Sequence, residues 1–265
     1  MGSFDGKVVL ITGASSGIGA VTAVQFAEDG ASLVLVGRNE ERLGKSAQEC
    51  LSKGLSKDKV LTIKADLAKE EDVQRIMDNT IKHFGRLDVL VNNAGVAYVT
   101  TILGENLMER YDWTMNVNVR SVLHLSNLAA PHLIATKGSI VNNSSICGKR
   151  LEPYLLAYNL SKSALDHFTR VTAVELASKG VRVNAVNPGN IVTPIHAIFG
   201  KDDDQVRESA AKTHPLGRAG ESEEVASVIK FLASDAASFI TGETISIDGG
   251  RHAIGIGPSL LIDFY

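Results

Sequence analysis

Tyr158 and Lys162 stand four residues apart, and on a helix that spacing puts two side chains on one face, one turn from each other. A phenol beside an ammonium is equipped for acid–base work at an oxygen atom. The positive neighbour favours the ionised form of a group that ordinarily titrates near about 10. Such a pair can give a proton to a carbonyl oxygen that gains charge, or take one from an alcohol. The spacing alone also describes an ordinary surface helix pair. Ser144 and Ser145 add weight, because they follow residues 139–143, which read as a strand, and open α/β sheets bind ligands beyond the carboxyl ends of their strands. Either hydroxyl could orient a substrate oxygen. Either Asn116 or Asn118, in Met115-Asn116-Val117-Asn118-Val119, could contribute an amide.

A second group of residues suits a phosphate. Thr12-Gly13-Ala14-Ser15-Ser16-Gly17-Ile18-Gly19 follows the strand-like run Val8-Val9-Leu10-Ile11 and precedes a helical pattern. Glycines there let the backbone approach a pyrophosphate, which the free N–H groups and the positive end of the next helix then hold; the alternative is a turn that only packs helix onto sheet. After the second strand the chain reads Val36-Gly37-Arg38-Asn39, with no carboxylate before Glu40 to hold a ribose 2′-hydroxyl. Arg38 offers a fork of donors suited to a 2′-phosphate, so NADP(H) is preferred over NAD(H). The alternative is a solvated Arg38.

The elements that must position these groups alternate. Strands are expected at 8–11, 32–36, 60–65, 87–91, 139–143, 182–186 and 244–247. Helices are expected from Gly19 to about Gly30, and at 40–53, 70–84, 112–134, 157–179 and 222–233. On 70–84 the residues Val73, Ile76, Met77, Thr80, Ile81 and Phe84 form one stripe. Continuous β-branched strands separated by helices imply a doubly wound parallel sheet of the Rossmann type, with helices on both faces. No linker or repeat divides the chain, so residues 1–265 are expected to form one dinucleotide-binding domain.

The bulk numbers agree. The 265 residues are 44% hydrophobic and 22% charged, with a net charge of −3 and no dense Lys/Arg cluster, which argues for a folded enzyme-like domain and against a nucleic-acid partner. Cys50 and Cys147 make neither a disulfide framework nor a metal-ligand pattern, and the seven histidines show no metal spacing, so no metal is expected. With no export signal, no myristoylation pattern and no run long enough to span a membrane, a cytoplasmic location is expected.

In the order and spacing of these motifs the chain resembles the short-chain dehydrogenase/reductase family, in its short single-domain branch, over almost its whole length. The residues that carry the resemblance are Thr12 to Gly19, Asp66, Asn92-Asn93-Ala94-Gly95, Asn118, Ser145, Tyr158 with Lys162, Asn187-Pro188-Gly189 and Asp248-Gly249-Gly250. It implies that Gly13, Ser15, Ser16, Gly17, Ile18 and Gly19 hold the cofactor with Arg38 and Asn39. Asp66 and Leu67 would meet the adenine, Asn93, Ala94 and Gly95 the adenosine side, and Ile191 and Thr193 the nicotinamide carboxamide. It selects Ser145 over Ser144, thirteen residues before Tyr158, and Asn118 over Asn116. Tyr158 would then be the general acid/base and Ser145 the orienting hydroxyl. Lys162 would lower the tyrosine's pKa and bind the ribose, and Asn118 would hold a water in a relay from Lys162 or bridge a helix irregularity. Many NADP-dependent relatives carry a basic residue where this chain has Ser16, so the NADP preference rests on Arg38.

Between Pro194 and Pro215, Ile195, Ile198 and Phe199 precede the acidic run Asp202-Asp203-Asp204: an apolar lid with a solvated face. Tyr98, Tyr154, Cys147 and His196 are further pocket candidates, and the apolar lining points to a lipophilic carbonyl or alcohol of steroid, prenyl or fatty type. Leu165, Phe168, Val171, Val174 and Leu176 spread around 157–179, and relatives pair this helix between subunits, so a homo-oligomer, tetramer or dimer, is expected. The tail 251–265, with Leu260, Leu261, Ile262 and Phe264, would bury itself on another subunit or fold back. Two other functions fit the motifs: a cofactor-binding regulator without turnover, and an epimerase or dehydratase on the same scaffold.

Overall fold

The computed structural model describes residues 3–254; most of the expected C-terminal tail lies outside the described residues. Seven strands form one parallel sheet: β1 (Val8–Thr12), β2 (Ser32–Gly37), β3 (Val60–Lys64), β4 (Val89–Asn92), β5 (Ser139–Asn143), β6 (Arg182–Pro188) and β7 (Thr244–Ile247), in the order β3-β2-β1-β4-β5-β6-β7. The order reverses between β1 and β4, which pair Val9 with Val89 and Ile11 with Val91. That reversal opens a crevice at the carboxyl edge of the sheet.

The inner strands are buried on both faces, the edge strands β3 and β7 only in part, and the alternation sorts the apolar residues into two cores. Val9, Ile11, Leu33, Leu35, Val89, Val91, Val141 and Val186 face one side, whereas Val8, Leu10, Val34, Val36, Leu90, Ile140 and Val183 face the other. The first face is covered by α1 (Gly17–Glu28), α2 (Glu40–Ser52) and α8 (Ser222–Ala233), through Phe26, Leu43, Val225 and Ile229. The second is covered by α3 (Glu70–Phe84), α5 (Ser121–Thr136) and α6 (Leu156–Ala177), through Val73, Ile76, Leu125, Leu133 and Ala173. Apolar residues in β1 to β6 point both ways because both layers of helices need a surface to bury, whereas β7 turns Ile245 and Ile247 to the first face.

Two elements differ from the expected pattern. The region 112–134 is not one helix: α4 (Leu107–Met115) passes through a π-turn (Asn116–Arg120) into α5. A π-turn inserts one residue into the helical repeat and shifts the direction in which the side chains of α5 face. The acidic run at 202–204 opens a helix, α7 (Asp203–Thr213). Asp202 accepts from the Gln205 N–H while Gln205 reaches back to the Asp202 N–H, a reciprocal cap. Asp203 and Asp204 are exposed, as expected of a solvated face. Among the described residues no helix is long and apolar enough to cross a membrane.

Candidate active site

A cleft of about 1210 Å³ runs along the carboxyl edge of the sheet. It begins at the glycine turn, which is built for close approach. A methyl group on Gly19 would lie 2.4 Å from both Asn93 Nδ2 and the Gly13 carbonyl oxygen, and one on Gly13, at φ 68°, would lie 2.8 Å from Asn93 Nδ2. Asn93 locks the turn by donating to the Thr12 carbonyl at 2.8 Å, and Thr12 Oγ1 accepts from the N–H groups of Asn93 at 3.0 Å and Ala94 at 3.1 Å. Ser16 at the start of α1 makes no capping hydrogen bond, and the first turn carries no acidic residue. The first N–H groups of that helix are thus left for an anion, in the positive field of the helix end. Ser15, Ser16, Gly17 and Ile18 line the same end of the cleft.

Beyond the turn the cleft reaches Arg38, Asn39, Asp66 and Leu67. Arg38 is exposed; Asn39 is the N-cap of α2, its Oδ1 accepting from the Arg42 N–H at 2.9 Å. Asp66 Oδ1 accepts from the Ala68 N–H at 3.1 Å, which fixes the carboxylate at the cleft wall. On the far side Ile191 is buried, and Thr193 donates to its carbonyl at 3.2 Å. Thr193 Cγ2 would stand 3.2 Å from a methyl on Gly17, so this segment closes over the turn. These residues fit a dinucleotide: an unprotected helix N-terminus for the pyrophosphate, a glycine cradle that a Cβ would fill, and polar groups at both ends.

At the centre stand the four residues expected to do the chemistry. Tyr158 on α6 stands beside Ser145, whose hydroxyl favours the ionised phenol. Ser145 is placed by an extended backbone just beyond β5, with its Oγ accepting from the Cys147 N–H at 3.1 Å. Ser144 points the other way, donating to the Lys162 carbonyl at 3.2 Å, so of the two serines Ser145 is the one facing the tyrosine. Lys162 is buried; its Nζ donates to the Asn143 carbonyl at 2.8 Å and lies 5.5 Å from the centroid of the Tyr158 ring. Burial pushes the lysine down to about 8. Burial first, and Cys147 second, push the phenol above its ordinary range, while Ser145 pulls it back.

Asn118 sits in the π-turn, and the irregular helix explains its reach. Its Oδ1 accepts from the Val96 N–H and its Nδ2 donates to the Val96 carbonyl, both at 2.8 Å, with a further bond to Ser161 Oγ at 3.1 Å. A methyl on Gly95 would lie 3.5 Å from Asn118 Oδ1 and 3.6 Å from Lys162 Nζ, so amide and ammonium flank one backbone position. Asn116 turns outward to donate to the Ala68 carbonyl at 3.0 Å. Behind the centre, buried Asp166 accepts from Asn187 Nδ2, which also donates to the Ser145 carbonyl at 2.8 Å.

Comparison with known proteins fits this geometry. A family model described as enoyl-(acyl carrier protein) reductase matches residues 13–252. Glucose 1-dehydrogenase of Gluconobacter oxydans is 41% identical over 256 residues, covering 95% of this chain and 94% of its own. The chain belongs to the short-chain dehydrogenase/reductase family. Two further members show how close the likeness runs. The 3-oxoacyl-[acyl-carrier-protein] reductase FabG of Thermotoga maritima is 40% identical, covering 93% of this chain and 98% of its own. A crystal structure of a Caenorhabditis elegans short-chain dehydrogenase/reductase of unknown function, solved with cofactor, matches with a TM-score of 0.91 at 38% identity, over 97% of this chain and 99% of that one. As a short-chain dehydrogenase/reductase the chain is an oxidoreductase acting on a CH–OH or carbonyl group with a nicotinamide cofactor, on a single Rossmann-like domain.

The substrate end of the cleft is lined by Tyr98, Val99, Cys147, Tyr154, Leu155, Ile195, His196, Ile198 and Phe199. His196 places Nε2 3.0 Å from the Ile191 carbonyl, and burial lowers its pKa, which favours the neutral ring. Sequence reasoning missed Arg42, Asn143, Glu152 and Arg251, all of which line the cleft. Arg42 lies four residues beyond Arg38, in the first turn of α2, a signal available in the sequence. Glu152 lies between Ser145 and Tyr158, and Arg251 follows Asp248-Gly249-Gly250, but nothing in the sequence pairs them.

Proposed function

We propose that the chain transfers a hydride between NADP(H) and a carbonyl compound or secondary alcohol with an apolar frame, with Tyr158 as the general acid/base. The observation that carries this reading is the meeting of Ser145, Tyr158 and Lys162 in one cleft, with the Lys162 ammonium 5.5 Å from the centroid of the phenol ring, where the cleft begins at an uncapped helix N-terminus.

When bound, the nicotinamide supplies hydride to the carbonyl carbon or takes it back from the alcohol. Tyr158 gives its hydroxyl proton to the carbonyl oxygen in reduction and removes the alcohol proton in oxidation. Ser145 orients that oxygen. Lys162 favours the phenolate left behind, and its N–H groups not used by Asn143 are available to ribose hydroxyls. The Asn118 side chain is committed to Val96 and Ser161, so a relay of protons from Lys162 would pass by its backbone carbonyl. Arg38 favours a 2′-phosphate, with Arg42 in the first turn of α2 on the same cleft as a second donor.

Residues 194–215 act as the lid over the substrate, excluding water through Ile195, Ile198 and Phe199. The chain works in the cytoplasm as a homo-oligomer. Met108, Leu123, Leu160, Val171 and Val174 on α4, α5 and α6 are all exposed, an apolar surface of the kind that second copies cover. Following NADPH and NADH absorbance against a panel of lipophilic ketones and aldehydes tests the reading. Stoichiometric oxidation of NADPH, faster than of NADH, is expected. Product without net cofactor consumption, or cofactor binding without product, would replace it with an isomerase, a lyase or a sensor.

A further inference from the structure

Glu152 is held more firmly than a loop residue needs to be. Its backbone is clamped by the neighbour of the catalytic tyrosine: Asn159 Oδ1 accepts from the Glu152 N–H at 3.2 Å, and Asn159 Nδ2 donates to the Glu152 carbonyl at 2.8 Å. Its side chain is clamped from another part of the chain. Arg251 Nη2 donates to Glu152 Oε2 at 2.6 Å, and Arg251 Nη1 donates to Asn190 Oδ1 at 3.1 Å. The arginine side chain is only 7% exposed, and among the described residues its buried Nε–H has no acceptor. Burying a guanidinium with a donor unpaired is costly, so the position is not explained by stability. Both residues line the cleft that holds Tyr158 and Ser145.

The Glu152 side chain keeps 27% of its surface exposed, and among the described residues nothing donates to Oε1. A carboxylate fixed at both ends with one oxygen open on a cleft wall is a pre-organised acceptor, since the entropy of placing it has already been lost. The carboxylate and guanidinium cancel each other's charge. A substrate carboxylate would have to displace Glu152 from Arg251, and an ammonium would meet a carboxylate already compensated. A neutral O–H donor matches what remains.

Building on the hydride-transfer reading, we propose that Glu152, held by Arg251, accepts a hydrogen bond from a second hydroxyl on the substrate, so that the substrate is a hydroxylated ketone or the corresponding diol on an apolar frame. The apolar wall receives the frame and Glu152 selects the hydroxyl.

The test compares kcat/KM for cyclohexanol with those for cyclohexane-1,2-, 1,3- and 1,4-diol, using NADP⁺ and NAD⁺, in the full-length wild type, Glu152→Gln and the charge-neutral double variant Glu152→Gln/Arg251→Gln. At least one diol is expected to exceed cyclohexanol about tenfold, each factor of ten being about 1.4 kcal/mol, and the variants are expected to bring that ratio to about one. Equal kcat/KM for diols and cyclohexanol in the wild type would overturn the proposal, as would a ratio that survives in a folded variant. So would a gain of Glu152→Gln on hydroxy acids over diols, which would make Arg251 an anion site instead. A wild type that oxidises none of the four alcohols and reduces none of the matching ketones would overturn the hydride-transfer reading itself.

Discussion

Lys162 Nζ stands 5.5 Å from the centroid of the Tyr158 ring while donating to the Asn143 carbonyl at 2.8 Å. In the proposed mechanism the ammonium acts on the phenol through space, and that influence lasts only while it is charged. Burial pushes it down to about 8, and a lysine is charged below its pKa and neutral above. Carbonyl reduction should therefore hold a plateau below pH 8 and fall above it, approaching tenfold per pH unit. Profiles of kcat/KM from pH 6 to 10 check this; a plateau that runs unbroken to pH 10 would remove Lys162 from the proton chemistry.

The same burial makes Lys162 costly to the fold. Its pKa drops from 10.5 to about 8, so between those values the unfolded chain binds a proton that the native state has released. Stability contributed at this site therefore rises with pH across that window, and the penalty is largest below pH 8. Lys162→Met removes the penalty and should stabilise the protein by about 1–3 kcal/mol at pH 7 while abolishing turnover. The gain should shrink by pH 9.5. Denaturant unfolding at both pH values gives the comparison, and a variant less stable than wild type at pH 7 would show that the bond to Asn143 outweighs the desolvation.

In the proposed function Arg38 carries the preference for NADP(H), from an exposed position at the cleft end where no carboxylate precedes Glu40. Arg38→Leu should raise the Kd for NADPH by about 10- to 100-fold, in line with about 1.5–3 kcal/mol for a charge-assisted hydrogen bond, and leave NADH within about threefold. Titration of cofactor fluorescence measures both. Equal losses for the two cofactors would mean that Arg38 does not read the 2′-phosphate.

Gly19 has no room for a side chain. The added methyl of Gly19→Ala would meet Asn93 Nδ2 and the Gly13 carbonyl at 2.4 Å, and Gly13 belongs to the turn itself. Relieving that overlap breaks the bond from Asn93 to Thr12 or moves the turn, so the variant should lose about 1–3 kcal/mol of stability and bind either dinucleotide at least tenfold more weakly. Thermal unfolding and cofactor titration together check this; unchanged values for both would mean that the turn is not the cradle.

The features legible in the sequence are those set by local chemistry. Val8 to Ile11 show a strand buried on both faces, because parallel strands between two helical layers leave no polar side. The glycine turn is recognisable from the strand before it and the helix after. The π-turn at Asn116–Arg120 is not marked by its local residues, and only the family resemblance, which offers Asn118 as a bridge across a helix irregularity, points there; in the structure the turn sets Asn118 against Val96. Helix α7 hides behind Asp202-Asp203-Asp204, since an acidic run reads as solvated surface until Asp202 is seen capping Gln205. Glu152 and Arg251 lie 99 residues apart, and only the fold brings them to one wall. Chain order alone does not choose between Ser144 and Ser145; the geometry does, by turning Ser144 toward the Lys162 carbonyl.

The most direct test of the proton path is the single-turnover rate of NADPH oxidation by Tyr158→Phe with a ketone that the wild type reduces. The ring stays and the ionisable hydroxyl goes. The expected result is a fall of about 100-fold or more in that rate, with NADPH binding changed by less than about threefold. A wild-type rate in a folded, cofactor-binding Tyr158→Phe would contradict the central claim that this hydroxyl passes the proton.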